Sequence, residues 1–256
     1  NGEPKFPRRL EDPAELPARL DKDRYVLARI WSVAERKEVA QLKGPGSVLY
    51  GGVQGGFCQT GKWPDRLIVH RMAVVAVYEL STGKMLFEFD GLHPFAEKPD
   101  QTRGYWKMAC HPTRAEVALE GAQFFQEAPL FGFPARSGAT PIVVADLEKN
   151  AVRKVLFSAT PLNGVVYTAD GSKLISFGAT PIRIWNAGNN FEALGEIGDP
   201  ALNSGLMTPI AAYDGVLGVS NALRIWSTEV RRNVYTLDTK QYDTLRIAVH
   251  PDTKKY

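Results

Sequence analysis

Few residues in this 256-residue chain could do chemistry: four histidines (His70, His93, His111, His250), two cysteines (Cys58, Cys110) and a glycine-rich stretch, GGVQGGFCQTGKW. Imidazoles at matched spacing would hold a metal or move protons, thiolates would attack or ligate, and a glycine loop before lysine would cradle phosphate. None has the spacing its chemistry needs. The histidines are scattered, and no CxxC or Cys/His pair of zinc spacing occurs. Trp63 and Pro64 follow Lys62 where a phosphate loop requires Ser or Thr and then a helix, so the stretch is expected to be an inter-strand loop. There is no GxSxG elbow. Cys110 ends an apolar run and is expected to be a small buried residue, and two cysteines cannot build a disulfide framework. No catalytic residue, metal or cofactor is assigned, and the chain is expected not to be an enzyme.

The composition excludes further classes. Hydrophobic residues at 44%, charged residues at 23% and a net charge of +3 describe an ordinary globular chain, too mildly and evenly charged to argue for nucleic acid or an anionic membrane. The longest apolar run, Leu67 to Leu80, is broken by His70 and Arg71, short of the roughly 18 to 20 clean residues of a membrane helix. No signal peptide is visible in a chain that opens with Asn1, which leaves the compartment open with a slight tilt to the cytoplasm.

The elements that would position any site come from a repeat. GATPI occurs at Gly138 to Ile142 and again at Gly178 to Ile182, a shift of 40, and each copy leads into an alternating strand. Trp185 and Trp226, in the two RIW runs, are 41 residues apart, and Trp31, Tyr78 and Ala145 occupy the same place in three further copies. A shift of 47 relates the first two copies over a long span, from Pro17 and Pro64 to Leu42 and Phe89. In the clearest copy, Gly164 to Thr168, Lys173 to Phe177, Ile182 to Trp185 and Glu192 to Ile197 read as strands, with Ala169 to Ser172 as a hairpin turn. Such a four-stranded sheet has two apolar faces, so consecutive sheets are expected to stack on one another. The three tryptophans are expected to be inter-sheet packing rather than stacking platforms.

The units resemble WD40 repeats, whose first strand ends near Ser-Pro-Asp-Gly and whose third ends in Ile-Trp-Asp. The matching runs are VVYTADGSKLISFG with TPIRIWN, ALRIWST, KMACHPTRAEVAL with PIVVADL, and IAVHPDTKKY. The resemblance covers nearly the whole chain after about residue 17. It implies an all-β β-propeller of four-stranded antiparallel blades, in a family made chiefly of interaction scaffolds with no shared chemistry. Units are expected near 17–46, 47–90, 91–158, 159–198 and 199–240, with a partial unit at 241–256 and a Pro-rich charged extension at 1–16. About five units are visible, and the ring is expected to be incomplete, a slice of a longer propeller rather than a closed five-bladed one. The usual Gly-His opening is missing and Ala179-Thr180 or Ser220-Asn221 replace the turn aspartate, so the family's His, Ser, Asp and Trp network is expected to be absent. His111-Pro112 and His250-Pro251 fall where a first strand ends. They would be a ring of imidazoles on a channel or plain turn residues; turn residues are expected, because equivalent turns are expected to lie far apart and Thr168 replaces His in another copy.

Function is expected to sit on the longest unit. Gly91 to Arg103 and Glu120 to Arg136 are extra segments in loops that share one face, and the second holds Phe124, Phe125, Leu130, Phe131 and Phe133. Aromatics concentrated in a loop mark an interaction patch or a flap packed on the ring. The expected function is therefore a non-catalytic scaffold binding a protein partner through these five residues. The alternatives are a propeller domain of a larger enzyme, of the hydrolase-gate kind, and an extracytoplasmic ligand binder.

Overall fold

The computed structural model describes residues 25–44, 55–71, 74–89, 105–121, 139–178, 181–198, 206–210, 215–219 and 222–238. Among them there is no helix; every element is a strand. A hairpin comes first, β1 (Tyr25–Ser32) with β2 (Lys37–Gly44). Four antiparallel sheets follow. Sheet I is β3 (Gly55–Cys58), β4 (Arg66–Arg71), β5 (Val74–Glu79) and β6 (Met85–Phe89); sheet II is β7 (Tyr105–Cys110), β8 (Glu116–Gly121), β9 (Thr140–Asp146) and β10 (Ala151–Ser158). Sheet III is β11 (Leu162–Tyr167), β12 (Lys173–Gly178), β13 (Ile182–Asn186) and β14 (Glu192–Ile197); sheet IV is β15 (Leu206–Ile210), β16 (Gly215–Val219), β17 (Ala222–Ser227) and β18 (Arg232–Asp238). In each sheet chain order is spatial order, as short turns between alternating apolar runs dictate.

Strand pairing makes the repeat visible at the backbone. In every described unit the register of the third and fourth strands slips by one residue at the same point: Ile30/Trp31, Val77/Tyr78, Ile184/Trp185 and Ile225/Trp226, and opposite Val144 and Ala145 in sheet II. The extra residue on the fourth strand is Val39, Leu86, Arg153, Leu194 and Val234 in turn. Such a bulge bends its strand and increases its twist. The same register identifies β1 and β2 as the third and fourth strands of their unit.

Apolar layers lie between the sheets. Ile68, Val75, Val77 and Phe89 of sheet I cluster with Val117, Leu119, Val143 and Ala145 of sheet II. Ala118, Ile142 and Val144, on the opposite side of sheet II, cluster with Leu162, Val165, Tyr167, Leu174 and Trp185 of sheet III. Ile175, Phe177 and Ile184 of sheet III continue to Trp226 of sheet IV. Each fully buried aliphatic or aromatic side chain contributes roughly 1.5–3 kcal/mol, so these layers hold the stack together. The first strands are also neighbours: β7 lies beside β3 and β11, and β11 beside β15.

Two expectations are corrected. Cys110 is not a free buried thiol: it forms a disulfide with Cys58, Cα to Cα 5.7 Å, across the boundary between sheets I and II. The pairing joins strand ends 52 residues apart, a proximity that only the stacked fold creates. Trp185 and Trp226 are buried as expected, but Trp31 is 59% exposed, because its side of the hairpin meets no described sheet.

Candidate functional site

Each sheet has two ends, and they are built differently. The turn end carries the links from first to second and from third to fourth strands. There Thr60, His111 and Thr168 stand at one repeat position, all buried, and each uses its side chain to hold its own turn. Thr60 Oγ1 accepts from Trp63 N at 3.3 Å and Thr168 Oγ1 from Lys173 N at 3.0 Å, while His111 Nδ1 accepts from Thr113 N at 3.1 Å and Arg114 N at 3.0 Å. With Nδ1 accepting twice, the His111 proton sits on Nε2, which donates to Gly171 O of sheet III at 2.9 Å. Burial, with Arg114 adding to it, holds the imidazole below its ordinary value and keeps it neutral.

His111 is therefore a turn residue, but the expectation that equivalent turns lie far apart is wrong. Gly61 N donates to Pro112 O at 2.6 Å, linking the turn of sheet I to that of sheet II, which His111 then links to sheet III. Gly171 has φ of +73°, and a Cβ there would collide with the His111 ring, so the turn and the contact both require glycine. Beneath this seam Glu116, 3% exposed, accepts from Arg114 Nη2 at 3.0 Å, from Arg153 Nη1 and from Tyr167 Oη at 2.9 Å. Burial first, and then the Glu116 charge, push the Tyr167 phenol well above its ordinary value, so it stays a donor. Trp185 Nε1 donates to Ser176 Oγ at 3.2 Å, giving the Trp-to-Ser arm of the expected-absent network, and no histidine or aspartate joins it among the described residues.

The insertion end lies at the other tips of the strands. Tyr105 pairs with Gly121, so the chain enters β7 from residues 90–104 and leaves β8 into 122–138 at one edge of sheet II. Phe124, Phe125, Leu130, Phe131 and Phe133 lie outside the described residues, as do Gly91 to Arg103, His93 and His250. What the structure brings to this end is Glu120, the last residue but one of β8 and 5% exposed. It faces the apolar layer beside Ile142, its cross-strand partner, and Thr140 sits two residues from Ile142 on the same face. Neither Glu120 Oε2 nor Thr140 Oγ1 has a hydrogen-bond partner among the described residues. Burial pushes the Glu120 carboxyl up to about 7 against the pull of Lys107 on β7. His70, fully buried in β4, holds the same repeat position in sheet I.

The expected second insertion, Glu120 to Arg136, is corrected at its start, since Glu120 and Gly121 are the last two residues of β8; Glu116 was given no role by the sequence. Val117 and Leu119 share one face of β8 and Glu116, Ala118 and Glu120 the other, and both faces are buried, so two carboxyl groups lie on a covered face. A carboxyl titrating near neutrality can act as acid, base or hydrogen-bond partner to an incoming group. Among the described residues no cluster of three or more His, Cys, Asp or Glu could hold a metal ion, and no helix is long and apolar enough to cross a membrane. No protein-family model matches the chain, and no curated protein matches it.

Proposed function

We propose that the units are blades of a WD40-like β-propeller and that the chain is a non-catalytic scaffold binding a protein partner through the insertion end. The neighbouring first strands and the bulge repeated in each unit support radial stacking, which gives consecutive four-stranded sheets shared apolar layers. Exposed Trp31, whose equivalents are buried, supports further strands or a further blade beside the hairpin, as an incomplete ring requires.

The functional reading rests on the contrast between the ends: the turn end is sewn to itself, while the insertion end roots two long segments beside a buried carboxyl whose Oε2 has no partner among the described residues. A partner's donors would satisfy what the described residues leave open. The test is a Phe124→Ser/Phe131→Ser double variant, assayed for the partner that the wild-type chain captures and for its unfolding midpoint. Lost binding at an unchanged midpoint supports a contact patch; loss of folding would make the aromatics a packed flap. The alternative of a domain from a larger enzyme gains one observation, since Glu120 is a candidate acid or base at neutral pH.

A further inference from the structure

We propose that Cys58–Cys110 is a structural staple that fixes sheet I against sheet II, and that the chain works in an oxidising compartment. The bond lies at a particular seam. Consecutive units are joined by residues 159–161 between sheets II and III, 198–205 between III and IV, and 45–54 between the hairpin and sheet I, but by fifteen residues, 90–104, between I and II. The longest connection leaves its two sheets least constrained by the chain, and there the covalent link is found.

Its position relative to the repeat makes the same point. Cys110 and Tyr167 occupy one repeat position, paired with Val117 and Leu174 respectively. Tyr167 reaches back from sheet III to Glu116 of sheet II by a hydrogen bond; Cys110 reaches back from sheet II to Cys58 of sheet I by a disulfide. The same post is used twice to tie a sheet to its predecessor. Both cysteines are partly buried against the apolar layer between sheets I and II, and the sequence holds no third thiol to exchange with.

Formation passes two electrons and two protons from the thiols to a small disulfide such as oxidised glutathione, through a mixed disulfide, with release of two glutathione thiols. Such bonds persist in secretory, periplasmic and extracellular settings and are rare in reducing cytosol, which reverses the slight tilt of the sequence toward the cytoplasm.

The test has two arms on the full chain. In the first, cells making the protein are quenched in acid and the denatured chain is alkylated with a maleimide. The expected result is no adduct before reduction and two after it; two adducts before reduction overturn the compartment assignment. In the second, the purified chain is melted with and without dithiothreitol beside a Cys58→Ala/Cys110→Ala variant. Reductant should lower the wild-type midpoint by about 10 °C, and the variant should start from that lower midpoint and ignore reductant. An unchanged wild-type midpoint, with reduction verified by mass, overturns the staple.

Discussion

Glu116 and Glu120 are the same residue type on the same face of β8, one turn-ward and one insertion-ward, and both are almost fully buried. Glu116 accepts hydrogen bonds from two guanidinium groups and a phenol, whereas Glu120 Oε2 has no partner among the described residues. One carboxylate therefore belongs to the machinery that holds sheets II and III together. The other is buried with its ionised form disfavoured, and is expected to weaken the fold as it ionises. That difference is the ground for the proposal that the insertion end, rather than the turn end, meets a partner.

The strongest way to break this contrast is at the turn end. Glu116→Ala leaves the Tyr167 hydroxyl unpaired and two arginines without their carboxylate, and should lower unfolding stability by about 3 kcal/mol or more in urea titration. A loss under about 1 kcal/mol would mean that the network is incidental to the stack.

Next comes Glu120→Gln, with the opposite sign. Its folded carboxyl titrates near 7 against an unfolded value of 4.5, so the unfolded chain ionises first as pH rises. Wild-type stability should fall between about pH 4.5 and 7 by up to about 3 kcal/mol, the variant should lack that limb, and above pH 7 it should be the more stable protein. Stability curves for both proteins across that window check this.

His111→Ala is smaller, about 1–3 kcal/mol, because two backbone donors and the Gly171 carbonyl lose their partner. His111 also titrates the other way from Glu120. Its folded value is depressed, so the unfolded chain protonates first and wild-type stability should drop as pH falls below about 6.5, a limb the variant lacks. The two ends thus set opposite slopes. Least affected is Lys62→Ala, which removes the exposed 2.7 Å pair with Glu148 and should cost less than about 1 kcal/mol.

Much of the scaffold was legible because a repeat prints the same turn chemistry many times. The second and fourth strands of sheet III, Lys173–Gly178 and Glu192–Ile197, begin at the residues where alternation and the Asp170-Gly171 turn place them. The recurring bulge was not legible, since four of its residues, Val39, Leu86, Leu194 and Val234, are aliphatics of the kind that fill any strand, Arg153 departs from them, and the slip is a property of the backbone. Cys58 and Cys110 meet only through stacking; stacking itself was legible, but a glutamate in a strand carries no sign of which neighbours will meet its carboxyl, and the sequence places Glu120 at the start of a loop rather than the end of β8. The aromatic insertion, the most legible functional signal, falls outside the described residues.

The most direct test of the contrast is urea unfolding of Glu116→Gln and Glu120→Gln in parallel with wild type at pH 8. Opposite signs are expected, with Glu116→Gln destabilising and Glu120→Gln stabilising. If Glu120→Gln destabilises as Glu116→Gln does, the carboxylate at the insertion end supports the fold like its neighbour, and that end loses its claim to be built for a partner.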